Sequence, residues 1–224
     1  MSSPITFTAQ DGSKVSGEIA LPSGEGKAPG LVLVQEWWGL NDHIRDLADR
    51  FAAAGFVTLA PDLYHGKSTK DPSEAGALMQ ALDGKQALAD IAAAAQHLAV
   101  HERVNGKVGV TGFCMGGAYA FTAATRIPEI SAAVPFYGIP PAGRADYTKA
   151  KPILAHFASR DEWAKASSAE AIKKEIEAAG GSMILHVYDA DHAFMNDTRP
   201  EVYSAENAKL AWERTITFLH QHLG

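Results

Sequence analysis

One cysteine in 224 residues excludes an internal disulfide, and with it any argument for an oxidising compartment. No apolar run approaches the ~18 residues that a membrane-spanning helix needs, and the opening "MSSPITFTAQDG" lacks the basic-then-apolar order of an export signal. Positive charge is also scarce. Twenty Lys and Arg against 26 Asp and Glu leave a formal charge of −6, which gives no electrostatic footprint for nucleic acid. What remains is a globular composition, 46% hydrophobic and 21% charged, long enough to bury a core without metal or disulfide support. The expectation is one domain spanning 1–224, cytoplasmic, monomeric or a weak homodimer, with neither a membrane nor a nucleic-acid partner.

The hydrophobic pattern changes period along the chain. Alternating segments around Thr6–Thr8 and Val15–Leu21, separated by Asp11-Gly12, predict an antiparallel hairpin at a sheet edge. "GLVLVQ" is then a continuous apolar run, as in a strand covered on both faces, and "HIRDLADRFAAAG" follows with helical spacing and a glycine stop at Gly55. Strand-like and helix-like segments keep alternating to the end: "VTLAP", "KQALADIAAAAQHLA", "VGVTG", "GGAYAFTAA", "AAVPFYG", "PILAHFA", "SAEAIKKEIEAAG", "MILHVY" and "AENAKLAWERTITFLHQHL". This order predicts an α/β fold, a mostly parallel twisted sheet with helices on both faces and an antiparallel N-terminal edge hairpin. The polar stretch from Tyr64 to Gly84, with a short helix around Glu74–Gln80, is placed as a cap or loop over a site.

The single cysteine sits in "TGFCMGG", where a strand ends and a helix begins. Ligands of open parallel sheets meet the carboxyl ends of the strands. The spacing Gly112-x-Cys114-x-Gly116 is that of a nucleophile elbow, whose central residue is strained and whose neighbours two positions away must be small. The N-terminus of the following helix stabilises a thiolate. Cys114 is therefore read as a nucleophile rather than a buried apolar side chain.

In the α/β-hydrolase order the acid and then the histidine follow the nucleophile. His156 and His186 fall inside strands and His220 and His222 at the C-terminus, which leaves His192 in "YDADHAF" as the base. Asp161, just after "PILAHFA", is the orienter; Asp189 and Asp191 are rivals, but too near His192 in sequence to approach its ring easily. The strand ending "QEWWG" holds the position of an oxyanion loop, which names the Trp37 and Met115 amides as donors. Glu36 is a carboxylate at the inner end of an apolar strand; a hydrogen bond to Cys114 or to an arginine would offset its burial.

Together "QEWWG", "APDLY", "GFCMGG", the aspartate after the next-to-last strand and "DHAF" resemble the dienelactone hydrolase (carboxymethylenebutenolidase) family of α/β-hydrolases, over essentially the whole chain. The resemblance implies hydrolysis of enol-lactones and related esters by Cys114, with His192 as base, Asp161 as orienter and Glu36 as the glutamate that contacts the thiol. It also marks a departure. Two arginines that hold the substrate carboxylate in muconate-pathway members, one after "APDLY" and one four residues beyond the histidine, are missing: no arginine lies between Arg50 and Arg103, and the second position is Asn196. A neutral ester or lactone is the substrate this absence predicts, unless Lys67, Lys70 or Arg199 substitutes. The alternatives are a general carboxylesterase or thioesterase, or a thiol that captures electrophiles without turnover.

Trp38, Tyr64, Tyr137, Phe194 and Arg199 flank the site in sequence and are expected to line a substrate pocket. His97 and His101 have helical i, i+4 spacing but no third ligand, and read as a solvated helix face; no metal and no cofactor are expected.

Overall fold

The computed structural model describes residues 1–224. Eight strands form one sheet in the order β1-β2-β4-β3-β5-β6-β7-β8. β1 (Ser3–Thr8) and β2 (Lys14–Ala20) make the expected antiparallel edge hairpin, turning through Gly12 at φ +86°. β2 is also antiparallel to β4 (Val57–Pro61). From there β3 (Ala28–Val34), β5 (Val104–Phe113), β6 (Ile130–Phe136), β7 (Ile153–Ala158) and β8 (Met183–Tyr188) continue in parallel.

Both faces of the sheet are covered, which is why the central strands are apolar without alternation. One layer packs Ile91 and Leu98 of α3 (Gly84–Val100), Phe121 of α4 (Met115–Arg126) and Ile172 of α5 (Ala166–Ala178) against Val32, Val108 and Ala133. The other packs Ile44, Leu47 and Phe51 of α1 (Asp42–Ala53) with Ala211 and Phe218 of α6 (Ala205–Leu223) against Leu31, Leu33 and Val134. The remaining helix, α2 (Pro72–Ala81), lies in the polar stretch; it is longer than the sequence predicts because Asp71 caps Glu74 N–H at 2.9 Å and Pro72 starts the first turn.

His97 corrects one expectation. It is half-buried rather than solvated, its ring 5.4 Å from that of Phe7, and burial pushes its pKa down; His101 ends the helix, accepting from Arg103 N–H at 3.2 Å. No helix is long and apolar enough to cross a membrane.

Candidate active site

The sharp turn between β5 and α4 is set by crowding. Cys114 has φ +56° and ψ −116°, a conformation that side chains rarely adopt. A Cβ on Gly112 would collide with the carbonyl of Gly116, one on Gly116 with that of Val34, and one on Gly117 with that of Phe136. Gly138, which the sequence reading passed over, completes the set: its Cβ would strike the Cys114 carbonyl. The Cys114 N–H donates to Phe136 O at 3.1 Å, so the strained turn is tied to β6. Four non-glycine residues have positive φ, and three of them, Cys114, Tyr137 and Ala193, adjoin this site. Strain is stored where surrounding structure over-determines it.

His192 comes from the loop after β8 and Asp161 from the loop after β7, and they meet: Nδ1 lies 2.6 Å from Asp161 Oδ2. The other carboxylate oxygen of Asp161 accepts from Trp163 N–H at 2.8 Å and Ala164 N–H at 2.9 Å, so its position is fixed from both sides. Burial pulls the His192 pKa down, but interaction with Asp161 and with the Cys114 thiol reverses this and pushes it up to about 10. Asp161 and Cys114 thus both favour the protonated ring. Asp189 and Asp191 do not compete for the ring. Both pair with Arg160, Asp191 at 3.1 Å, which clamps the Asp161 loop to the His192 loop. Arg160 was invisible in the sequence because its partners lie about 30 residues away.

Glu36 is 2% exposed, yet neither Cys114 nor an arginine is its hydrogen-bond partner. Asn196 Nδ2 donates to Glu36 Oε2 at 2.8 Å, and Oε1 has no partner. Burial pushes the carboxyl pKa up, with the Asn196 amide working against it. Thus the residue standing four places after His192 takes a different role, as an amide holding Glu36. Its loop is anchored in turn by Asp197 on Arg50 at 2.5 Å. Trp37 N–H donates to no backbone carbonyl, and Met115 N–H, first in α4, has no helical acceptor.

A cavity of about 660 Å³ opens on Cys114, Met115 and His192. Of the five residues expected to line it, only Tyr137 does. Phe194 is fully buried in the core beneath, and Tyr64 is buried with its hydroxyl 3.4 Å from Met115 Sδ, behind the wall. Trp38 and Arg199 sit elsewhere, the guanidinium 5.7 Å from the Trp38 ring and paired with Glu201 at 2.8 Å. Placement near a strand end does not fix which way an aromatic side chain points, which accounts for Trp38, Tyr64 and Phe194; Arg199 is drawn away by Glu201. Lys67 and Lys70 are also outside the lining. The residues that do line it come from α3 and its approach (Leu82, Lys85, Leu88), from α4, from the loop after β6 (Ile139, Pro141, Arg144) and from Trp163 beside Asp161. The polar stretch contributes one edge, through Met79 of α2.

The Dienelactone hydrolase family model matches residues 15–223. Protein usf of Aquifex pyrophilus is 37% identical over 224 residues, covering 96% of each chain. A provisionally named carboxymethylenebutenolidase of Aquifex aeolicus (strain VF5) is 34% identical with the same coverage. The crystal structure of a provisionally assigned dienelactone hydrolase from Klebsiella pneumoniae subsp. pneumoniae MGH 78578 superposes with a TM-score of 0.84 at 28% identity, over 98% of this chain and 99% of that one. With a matching α/β-hydrolase sheet and a family match over nearly its full length, this chain belongs to the dienelactone hydrolase family.

Proposed function

We propose that this protein hydrolyses small esters or lactones through a covalent acyl intermediate on Cys114. The observation that carries the reading is a thiol on a strained turn that opens on the same cavity as a histidine held 2.6 Å from a buried aspartate. Each group then has a task that its surroundings suit. The Cys114 thiolate, paired with the His192 imidazolium, adds to the substrate carbonyl carbon. Negative charge grows on the carbonyl oxygen, and the Trp37 and Met115 amides, neither of them donating to a backbone carbonyl, are the donors proposed to stabilise it. As the tetrahedral species collapses the carbon–oxygen bond breaks, and His192 gives its proton to the departing alkoxide; in a lactone both parts stay joined. A water molecule then loses a proton to His192 and adds to the thioester carbonyl carbon; collapse breaks the carbon–sulfur bond, releasing the acid and restoring the Cys114 thiolate beside the His192 imidazolium. Asp161 keeps the ring oriented and stabilises its charge. Glu36, held by Asn196 beside the first of these amide donors, has the position to tune the charge around the thiol.

The deciding experiment is steady-state hydrolysis of a panel of lactones and aryl esters by wild type and by Cys114→Ala. Multiple turnovers by wild type, lost in the variant, support an enzyme. A single stoichiometric burst without turnover supports a thiol that only captures electrophiles.

A further inference from the structure

The cavity is much longer than a small lactone. Its floor is one face of α4: Met115, Ala118, Tyr119, Thr122 and Arg126 recur at helical spacing. At ~1.5 Å of rise per residue, the eleven steps from Met115 to Arg126 span about 16 Å. A small ring bound at Cys114 would fill one end and leave the rest to water. Along the groove the walls are apolar, Leu82 and Leu88 on one side, Ile139 and Pro141 on the other.

The charge at the far end is unusual within this molecule. Seven of the eight arginines place the guanidinium on an acceptor: five side-chain or carbonyl sets hold Arg45, Arg50, Arg103, Arg160 and Arg199, Arg126 donates to the carbonyls of Gly143 and Arg144, and Arg214 donates to the Tyr188 hydroxyl. Arg144 alone has none. Its guanidinium lies against Gly84, both terminal nitrogens 3.4 Å from where a Cβ would sit, an ordinary van der Waals contact. Lys85, one residue further on, also lacks a carboxylate partner and lines the same end. Asp83 faces both cations, which help to hold its pKa down, but it forms no salt bridge with either and caps α3, accepting from Lys85 N–H at 2.8 Å and Gln86 N–H at 3.3 Å; the Tyr119 hydroxyl is the other titratable group facing Arg144.

We infer that the groove binds an elongated ester arm ending in an anion, with the scissile carbonyl at Cys114, an apolar chain along α4 and a terminal carboxylate or phosphate on Arg144 and Lys85. The inference rests on the ester-hydrolase reading of Cys114. It also revises the neutral-substrate expectation, because this cavity carries cations in places other than the two missing arginines. At ~1.2 Å of reach per bond, an extended arm of about eight to twelve atoms covers roughly 10–14 Å of the ~16 Å floor, and the long Arg144 and Lys85 side chains that line the cavity cover the remainder. A planar guanidinium suits either anion, so the terminal group is left to experiment.

The test compares p-nitrophenyl esters of dicarboxylic acids of increasing length with the neutral esters of matching length, together with a phosphate-terminated series, in wild type and in R144Q and K85Q. The inference predicts that the ratio of kcat/KM for anionic over neutral ester peaks at arms of about eight to twelve atoms. It predicts that this ratio drops about tenfold in R144Q, less in K85Q, and falls with added salt in wild type. Which terminus gives the higher ratio identifies the anion. Turnover of neutral esters with no anionic preference at any length, or a ratio unmoved by R144Q and by salt, overturns the inference and leaves the ester-hydrolase reading standing. No turnover of either series overturns both.

Discussion

The two ends of the groove are built on opposite principles. At the Cys114 end almost every group is held from several sides: the turn is wedged by four glycines against backbone carbonyls, Asp161 is shared between His192 and two backbone amides, and Glu36 is buried on Asn196. At the Arg144 end the groups are exposed, a guanidinium and an ammonium that no salt bridge holds, with Asp83 beside them committed to capping α3. Over-determination suits chemistry, which tolerates little misplacement. Exposed charge that no salt bridge holds suits recognition, since it leaves donors for a ligand. The contrast makes distinct predictions for the two ends.

The largest effect is expected at Cys114, the proposed nucleophile. Cys114→Ala should lower kcat/KM by about a thousandfold or more, with an unfolding midpoint near that of wild type, because the small side chain contributes chemistry more than packing. Activity close to wild type would remove the thiol from the mechanism.

Asp161→Asn comes next. An amide nitrogen facing Nδ1 forces the opposite tautomer on His192, and activity should fall by about a hundredfold or more. The variant also removes one of the two groups that raise the imidazole, leaving the Cys114 thiol alone against burial, so the pKa should fall from its wild-type value. The sign follows from linkage. A folded-state pKa raised to about 10 contributes stability that is fully present below about 6.5 and lost as pH rises through 10, so the variant should be destabilised more at pH 6 than at pH 10. NMR titration of the ring and urea unfolding at both pH values check the two halves.

Gly116→Ala tests over-determination without touching a titratable group. Its Cβ would meet the Val34 carbonyl, a backbone atom that cannot swing aside, and the expected cost is about 2–4 kcal/mol in urea unfolding. By contrast, Gly143→Ala at the other end meets no atom within 4 Å but carries φ +75°, so only the smaller backbone penalty, about 1 kcal/mol, is expected.

The smallest and most diagnostic shift belongs to Glu36→Gln. Burial raises the carboxyl in the folded state, so the folded protein retains a proton that the unfolded chain releases, and wild-type stability falls as pH rises above the ordinary 4.5. Glutamine keeps the acceptor for Asn196 and loses that slope. The variant's Tm relative to wild type should therefore be higher at pH 8 than at pH 5; equal differences would show that Glu36 is not held as a neutral acid.

How much of this was legible in the sequence follows the same division. "VTLAP" coincides with β4 end to end, because a strand covered on both faces must be apolar throughout; "MILHVY" coincides with β8, an edge strand whose apolar run leaves Ile184 and Val187 exposed. The elbow was readable because its glycine spacing is a steric requirement within five residues. Glu36 was readable as anomalous, but its partner was not: an asparagine 160 positions away carries no local signal. The recognition end was unreadable for a related reason. Arg144 and Lys85 are ordinary surface residues in sequence, and only the fold brings the loop after β6 against the start of α3. Conversely, Tyr64 and Phe194 looked like pocket residues and are core, because orientation at a strand end is decided by packing rather than by position.

The measurement that bears most directly on the central claim is mass spectrometry of the protein quenched in acid during turnover of a slowly deacylated ester. The account predicts an added acyl mass on the peptide that contains Cys114, absent from Cys114→Ala and increased in His192→Ala if a reactive aryl ester still acylates the thiol. Turnover with no adduct on that peptide, together with full activity in Cys114→Ala, would contradict it.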